Sequence, residues 1–529
     1  MIMVLKNGVI HDGLGNSFIG DIVVEKERII KIGENLSIEN AEMIDVSGLD
    51  VMPGIIDSHR HADFAFLKNE IGIPELSQGI TTTIVGPCGM SIFPASEAWY
   101  SFISPCLGND NGYSFYTCSD YLDSLSRVSL PINVGTFIGM GAVRSYIKGF
   151  SSSSWDEQEL KVGNRIIRNA IEDGAFGISF GIMYTPECYN TFEEYLSLLD
   201  GVSSYHVPLV THMRSEGDNL LSAVKEVIEL SKKSGNKLNI SHFKVFGKEN
   251  WNKTLPKAIA LIEEERKKEV DISVDFYPYD AGATTLMTLI PPVCLKDSLD
   301  ETISFLLSKE GRSLFETEIG RKQHAWDNMV ESIGWNRIIV SSVSKKNNKW
   351  MEGLNFSEIA EKELSSESDV FLNLLEKEKG QVGIIVRSMD LRDVDTVASL
   401  TYSRVISDSL YGSPEKPHPR LYGSFPRFLK KYSTSSYSSD LDKAICKITG
   451  DVAKYYSIED RGTIVCGNYA DLVVFDRDSI CDNATFQDPC KLSNGIKMVF
   501  VNGSLSFKED ELINNSNGKV LRNLKGDKR

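Results

Sequence analysis

Short apolar runs separated by Gly, Asn and Asp turns occupy both ends of the chain. Near the start these runs include Ile2–Leu5 and Ile22–Val24, and near the end Leu472–Phe475 repeats the pattern. The alternation of brief strands and turns is typical of a β-meander. We therefore predict that residues 1–52 and 460–529 combine into one small β-sandwich domain.

Between the two ends, apolar β-branched runs alternate with helical periodicity, which is the rhythm of a parallel sheet or barrel. Eight candidate strands follow one another: Val51–Asp57, Thr81–Val85, Ile132–Ile138, Phe176–Ile182, Leu209–His212, Leu238–His242, Ile272–Phe276 and Arg404–Ser407. Candidate helices include Asn219–Lys233, Leu255–Lys268, Asp390–Thr401 and Leu441–Tyr455. Eight parallel strands with intervening helices close into a barrel. We predict an α/β protein with a TIM-like (β/α)8 barrel.

Residues 291–382 break this rhythm, because they are charge-rich, helical and too long for one crossover connection. We predict that they form an insertion at the barrel mouth and the return from it. The barrel would then consist of residues 53–290 and 383–459. Loops that follow barrel strands build active sites, so the insertion is expected to shape a pocket.

Composition narrows the class of protein and its partners. The 529 residues are 41% hydrophobic and 25% charged, which is ordinary for a globular chain with a large core. The net charge of -16 disfavours nucleic acid and anionic membranes as partners. Nine cysteines without a CxxC pair, together with the lack of a secretory leader or long apolar run, indicate a cytoplasmic protein. We expect a small-molecule substrate, and a homo-oligomer remains open.

Four of the eight histidines close predicted strands. His59 and His61 follow the first strand and, two residues apart, point the same way, while His212 and His242 end two further strands. Because the carboxyl ends of parallel barrel strands meet at one rim, the four rings should converge on a metal ion. The alternative is that each is a buried ring with its own hydrogen-bond partner. Three others are expected to be solvated: His11, His206 and His324.

Cys88 lies just past the second candidate strand, within Val85-Gly86-Pro87-Cys88-Gly89, and hence on the same rim. A thiolate there can complete one tetrahedral site or bridge two cations. A carboxylated lysine is the other common bridge in such barrels, but residues 176–184 contain no lysine. We predict that Cys88 is a metal ligand; the alternative is a small buried cysteine.

Asp408 ends the last candidate strand. A carboxylate at this rim can bind a metal-bound water, take its proton during attack on a carbonyl and pass it to a leaving nitrogen. The alternative is a turn or helix-capping aspartate. With a metal rim in place, we predict that Asp408 is the catalytic acid/base.

These segments and several others occur in a specific order: His59-Arg60-His61, Gly79–Thr83, Gly86–Gly89, His212–Gly217, Ile240–Lys244, Tyr277–Tyr279, His418–Arg420 and Gly423–Arg427. They closely resemble the amidohydrolase superfamily and, within it, the D-aminoacylases, or N-acyl-D-amino-acid deacylases. The resemblance extends from about residue 3 to Arg522, and the Cys88 and His418–Arg420 segments are specific to this branch.

The resemblance implies a metal-dependent barrel with a β-sandwich formed by both chain ends. It implies one tight zinc site at Cys88, His212 and His242, and a second, weaker site lined by His59 and His61. It also implies that Asp408 is the acid/base. Four further residues are expected to hold the substrate carboxylate or line its pocket: Arg420, Tyr279, Lys244 and Thr285. The fork of an arginine suits a carboxylate, and His418 is expected to be structural.

The implied reaction is hydrolysis of the N-acyl amide bond of an N-acyl-D-amino acid or of a larger metabolite with a D-residue. The preference for the D enantiomer comes from the resemblance alone. Two positions depart from the family pattern: Glu187 replaces the usual glycine, and Val293 stands where a tryptophan often follows the prolines. Two alternatives stay open, a hydrolase of cyclic amides or imides and a barrel that serves as a non-catalytic scaffold.

Overall fold

The computed structural model describes residues 2–296, 298–323, 326–412, 415–433 and 438–523. Three units are visible in it: a sheet built from both chain ends, a parallel barrel and a helical insertion. Among the described residues, no helix has the length and apolar character needed to cross a membrane.

The two chain ends form one nine-stranded sheet. Its strands are Ile2–His11, Ser17–Glu25, Arg28–Gly33, Glu42–Asp45, Asp50–Pro53, Leu472–Phe475, Ile496–Val501, Ser504–Lys508 and Glu511–Leu512. Asp50–Pro53 pairs antiparallel with Leu472–Phe475 and so joins the two halves. Apolar side chains from both halves share one core, which includes Ile10, Leu472 and Phe500.

The barrel has eight parallel strand positions in chain order, as the alternating sequence pattern predicts. They are Ile55–Asp57, Ile80–Val85, Asn133–Thr136 continued by Ile138–Gly139, Ile178–Gly181, Leu209–His212, Leu238–Ile240, Ile272–Phe276 and Ser403–Val405. The last strand returns to the first, because Ser409–Leu410 pairs in parallel with Arg60–His61. The Asp408 amide donates to the His59 carbonyl at 3.0 Å at the same seam.

Helices cover the outside of the barrel and bury apolar stripes against it. Their bounds are Asp63–Leu67, Ile73–Leu76, Glu97–Leu107, Cys118–Leu125, Met140–Lys148, Glu157–Glu172, Phe192–Leu198, Leu220–Ser234, Leu255–Arg266, Leu391–Ser399, Arg420–Ser433, Ser438–Ile448 and Gly450–Tyr456. The predicted single helix over 441–455 is wrong, since it breaks at Thr449. A Cβ on Gly450 would lie 2.2 Å from the Gly13 carbonyl oxygen, so this close approach to the end sheet requires glycine and a new helix start.

The insertion has an apolar core of its own, to which the barrel contributes Phe246. It contains the antiparallel strands Gly282–Thr285, Ile338–Val343 and Val382–Val386 and the helices Leu299–Leu307, Lys309–Ile319, Met329–Ile333, Phe356–Glu363 and Glu367–Glu378. Its small sheet thus begins at Gly282, ahead of the predicted start at residue 291.

The solvated position predicted for His11 is wrong, because this side chain is only 1% exposed. Its Nε2 lies 2.8 Å from Asp50 Oδ1 and its Nδ1 lies 2.5 Å from Asp442 Oδ1. The two carboxylates come from opposite halves of the chain, so the contact depends on tertiary packing. His206 is exposed as predicted, and His324 lies outside the described residues.

Candidate active site

The predicted metal ligands and Asp408 lie together at the carboxyl rim of the barrel. His59 and His61 follow the first strand, Cys88 follows the second, and His212 ends the fifth. His242 stands two residues beyond the sixth strand, and Asp408 follows the eighth. All six side chains are buried, with exposures of 6% or less.

Cys88 is the centre of this cluster. Its Sγ lies 3.3 Å from His59 Nε2 and 3.4 Å from His242 Nε2. The ligand atoms of Cys88, His212 and His242 are all within 4.8 Å of one another, and the same holds for His59, His61 and Cys88. Cys88 therefore belongs to two overlapping groups that could each hold a metal ion.

The ring nitrogens of His212 and His242 are suited to hold a metal ion. Both ring nitrogens of His212 are buried and lack a hydrogen-bond partner within the described chain. Burial lowers the pKa of His212 and of His242 well below the usual value, so both rings are neutral and can offer a lone pair. Two imidazoles and one sulfur form a donor set that suits tetrahedral zinc, with one position left open.

Three of the functional residues have left-handed backbone conformations, with φ of 53° at Cys88, 34° at His242 and 49° at Asp408. Non-glycine residues rarely adopt this conformation, and the cost is typical of functional sites that are held by their surroundings. Here the backbone N–H of His242 donates to the carboxylate of Asp275, and that of Asp408 donates to the His59 carbonyl. The strained turns aim these side chains into the barrel mouth.

Glu216 supports His242 from behind and has no role in the sequence prediction. Its Oε1 accepts a hydrogen bond from Lys244 Nζ at 2.7 Å, and both atoms face His242 Nδ1, Oε1 at 2.9 Å and Nζ at 2.8 Å. Burial alone would lower the pKa of Lys244, but the Glu216 carboxylate holds it above its usual value, so the amine is charged. A carboxylate on the second ring nitrogen fixes the orientation of a ligating histidine. The position of Glu216 four residues after His212 was the only sequence signal for it.

Asp408 is surrounded by cationic and imidazole groups. Its Oδ1 lies 3.3 Å from His59 Nε2 and 3.4 Å from His61 Nε2, and its Oδ2 lies 2.8 Å from Arg420 Nη1. Burial alone would raise the pKa of Asp408, but Arg420 and the two histidines hold it well below its usual value. The group is therefore a carboxylate, ready to accept a proton.

A cavity of about 600 Å³ opens beside these residues. Its polar lining comprises His61, Cys88, Tyr184, His212, Glu216, His242, Lys244, Tyr277, Thr284, Ser388 and Asp408, and its apolar lining includes Met90, Cys106, Met183, Phe246, Met329, Val386 and Leu410. Lys244, the cation in this lining, is paired with Glu216, and Arg420 is paired with Asp408 but lies outside the lining.

Three of the four residues that the resemblance assigns to the pocket are absent from its described lining: Arg420, Tyr279 and Thr285. Tyr279 turns away after Pro278, where its ring packs against His418 and its hydroxyl faces the Pro419 carbonyl at 3.5 Å. Thr285 follows Thr284 on one strand, so their side chains point to opposite faces. The structure therefore places Tyr277 and Thr284 where Tyr279 and Thr285 were expected.

Arg420 begins the helix Arg420–Ser433, and its guanidinium lies over the Tyr277 ring at 4.7 Å. Apart from the ion pair with Asp408, its three side-chain nitrogens have no hydrogen-bond partner in the described residues. His418 orients this helix start, because its Nδ1 accepts from the Arg420 amide and its Nε2 lies 3.0 Å from the Ala281 carbonyl. The structural position expected for His418 fits these contacts.

Comparison with known proteins gives matches over the whole chain. Residues 390–507 match the profile of the Amidohydrolase family. A D-aminoacylase from Alcaligenes xylosoxydans xylosoxydans is 30% identical over 98% of this chain and 97% of its own length. An N-acyl-D-glutamate deacylase from the same organism is 28% identical over 96% of this chain and 94% of its own length.

Solved structures agree with these relatives. A D-aminoacylase crystal structure superposes with a TM-score of 0.82 at 30% identity, covering 98% of this chain and 99% of its own. An N-acyl-D-glutamate deacylase from Bordetella bronchiseptica, complexed with zinc and a phosphonate inhibitor, gives a TM-score of 0.83 at 26% identity over 98% and 99%. The predicted fold and resemblance are confirmed: the chain belongs to the D-aminoacylase family of the amidohydrolases.

Proposed function

We propose that this protein is a zinc-dependent hydrolase that cleaves the N-acyl amide bond of N-acyl-D-amino acids. The observation that carries the proposal is the convergence of Cys88, His212 and His242 beside an ionised Asp408 on one buried cavity. The relatives named D-aminoacylase and N-acyl-D-glutamate deacylase support the substrate class. The products are a carboxylate and a free amine.

Zinc would be held tightly by Cys88, His212 and His242, and more weakly at His59 and His61 with Cys88 shared. When bound, zinc supplies Lewis-acid chemistry, because it lowers the pKa of water and polarises a carbonyl. A D-aminoacylase of known structure has a binuclear metal centre, which supports two sites of unequal role.

Asp408 accepts the proton of the attacking water on its carboxylate and then delivers it to the leaving nitrogen. Arg420 is assigned to the substrate carboxylate because its Nε and Nη2 have no partner in the described residues, although its guanidinium lies behind Asp408, outside the cavity lining. Tyr277, under the same guanidinium, lines the adjoining wall. Lys244 forms an ion pair with Glu216, so its positive charge is not free to bind a second carboxylate on the substrate.

The apolar part of the cavity favours a neutral, flexible side chain on the substrate. Met90, Met183 and Met329 adapt to unbranched chains. Lys244 is paired with Glu216 and Arg420 is assigned to the substrate carboxylate, so neither cation is left for an acidic side chain. An acidic side chain would enter this wall without an unpaired cation to receive it. We therefore expect N-acetyl-D-methionine to be a better substrate than N-acetyl-D-glutamate or N-acetyl-D-aspartate.

The test is release of free amine from matched N-acetyl-D- and N-acetyl-L-amino acids, with a hydantoin included as a cyclic substrate. Turnover restricted to D enantiomers supports the proposal, whereas ring opening alone would favour a cyclic amidohydrolase. A D-hydantoinase structure at 15% identity shares the fold only. A scaffold without activity has no need for six converging functional groups, and it would release no amine from any of these compounds.

A further inference from the structure

The insertion contacts the barrel loop that follows His212 through the buried carboxylate of Asp327. Asp327 is 6% exposed, yet the three donors that the described residues offer it belong to the barrel. Its Oδ1 accepts from Ser215 Oγ at 2.6 Å, and its Oδ2 accepts from the backbone N–H of Glu216 at 2.7 Å and of Gly217 at 3.3 Å. Such a carboxylate fixes the loop in one conformation, because the Ser215 hydroxyl and the Glu216 amide would otherwise be buried without an acceptor.

We propose that Asp327 is a positioning residue for the active site: from the insertion it fixes the backbone of Glu216, and through Glu216 it orients His242 and Lys244. The idea rests on the proposed function for the roles of these last two groups. It extends that function by making the insertion part of the support of the metal ligands.

Both backbone polar groups of Glu216 are hydrogen-bonded. Its N–H donates to Asp327, and its carbonyl accepts from the Phe246 amide at 2.9 Å. With the backbone fixed, its carboxylate reaches His242 Nδ1 at 2.9 Å and Lys244 Nζ at 2.7 Å. A shift of the loop that carries Glu216 would therefore move the partner of a metal ligand.

The residues that follow Asp327 connect this contact to the rest of the insertion. Asn328 donates from Nδ2 to the carbonyls of Glu318, Ile319 and Arg321, at 3.2, 2.8 and 2.9 Å. It also caps the helix Met329–Ile333, whose first residue lines the cavity. Three successive side chains thus have different contacts: Asp327 with the barrel loop, Asn328 with the insertion and Met329 with the substrate cavity.

Burial raises the pKa of Asp327 to about 6, so the group is ionised at neutral pH and can accept all three hydrogen bonds. The amide of Asp327→Asn has a single acceptor oxygen, and its NH2 would face a backbone N–H or the Ser215 hydroxyl. Loss of a partner behind a metal ligand costs about 10- to 100-fold in affinity or activity.

For Asp327→Asn we expect kcat/KM to fall about tenfold and zinc loss to a chelator to be about tenfold faster than in the wild type. Asp218→Asn is the matched control. It removes the same charge one residue beyond the loop, but its partners Lys322 at 2.9 Å and Asn250 at 2.7 Å do not hold Glu216. The control should change both quantities by less than about twofold.

A double-mutant cycle with Glu216→Gln separates positioning from general stabilisation. If Asp327 acts through Glu216, the double variant is no worse than Glu216→Gln alone. Independent, multiplied losses would overturn the proposal, as would wild-type kinetics and zinc retention in Asp327→Asn.

Should Asp327→Asn not fold, Ser215→Ala removes only the donor to Oδ1, and it should still release zinc about twofold faster. Unchanged zinc retention in Ser215→Ala would then contradict the proposal. If the wild type hydrolyses no N-acyl-D-amino acid, the proposed function fails, while the zinc retention of the same variants still decides the role of Asp327.

Discussion

The two walls of the cavity differ in origin and in chemistry. The barrel rim contributes His61, Cys88, His212, His242 and Asp408, each from a different strand end or turn. The insertion contributes Ala283, Thr284, Met329 and Val386, which carry no charge and belong to or border a separate apolar core. On the proposed function, bond cleavage would depend on the rim and substrate selectivity on the insertion, so changes in the two walls should have different kinetic signatures.

Asp408→Asn should have the largest effect, because it removes the proton acceptor while preserving the shape of the side chain. We expect kcat to fall about a thousandfold. Zinc held by Cys88, His212 and His242 should be retained, because Asp408 is grouped with His59 and His242 and not with Cys88 and His212. Amine release and elemental analysis measure the two quantities. Asp395→Asn, an exposed aspartate paired with Lys431, is the control and should behave as wild type. Retained turnover in Asp408→Asn would remove this residue from the mechanism.

Cys88→Ala should deplete zinc, since the sulfur is shared by both candidate sites. We expect zinc affinity to fall by more than the roughly 100-fold typical of indirect partners, with turnover lost in proportion after dialysis. Cys106→Ala is a close control, because this buried thiol also lines the cavity but is not in a ligand group. Full zinc content in Cys88→Ala, or equal depletion in both variants, would contradict the ligand assignment.

Met329→Ala changes the insertion wall and should alter selectivity without abolishing the reaction. A shortened side chain loses contact with a long substrate, so kcat/KM for N-acetyl-D-methionine should fall about tenfold. The value for N-acetyl-D-alanine should stay within about twofold. Met351→Ala is the comparison, because Met351 is buried in the same insertion core without lining the cavity. A parallel loss for both substrates in Met329→Ala would show that this wall supports the chemistry too.

Glu187→Gln gives the smallest effect and concerns stability. Burial raises the pKa of Glu187 to about 8, although Gly181 N–H and the Tyr195 hydroxyl donate to it. Between its ordinary pKa of 4.5 and about 8, the unfolded chain loses this proton while the folded protein keeps it, so the wild type loses stability as pH rises.

Glutamine does not ionise, so its stability does not fall with pH in this way. Glu187→Gln should therefore melt about 2 °C or more above the wild type at pH 8 but close to it at pH 5. Thermal melts at the two pH values check this difference. Exposed Glu193→Gln should show no such pH-dependent gain. An equal difference at both pH values would mean that Glu187 is ionised in the folded protein, as Asp408 is.

Much of the rim could be predicted from sequence, because the period of a barrel places strand ends at one edge. That rule alone predicts the rim positions of His59, His212 and His242. The rim position of Cys88 is predicted because Cys88 follows its strand closely. These assignments remain predictions until a metal is measured, but the structure brings their ligand atoms together.

The supporting residues could not be predicted in the same way. Glu216 and Asp327 act on groups that are distant in sequence or lie in another unit, so no local pattern identifies them. Tyr277 and Tyr279 differ only in how the turn at Pro278 directs the chain, which the motif does not encode. His11 has two carboxylate partners from opposite chain halves, Asp50 in the end sheet and Asp442 on a helix outside the barrel, and only the packing of these two units brings them together.

The most direct measurement is to titrate metal-free protein with zinc while following amine release from N-acetyl-D-methionine and N-acetyl-L-methionine. We predict no turnover without zinc, turnover of the D enantiomer alone, and a rise that is complete at about one zinc per chain. Full activity in the metal-free protein, or no activity toward either enantiomer at any zinc concentration, would contradict a zinc-dependent D-aminoacylase.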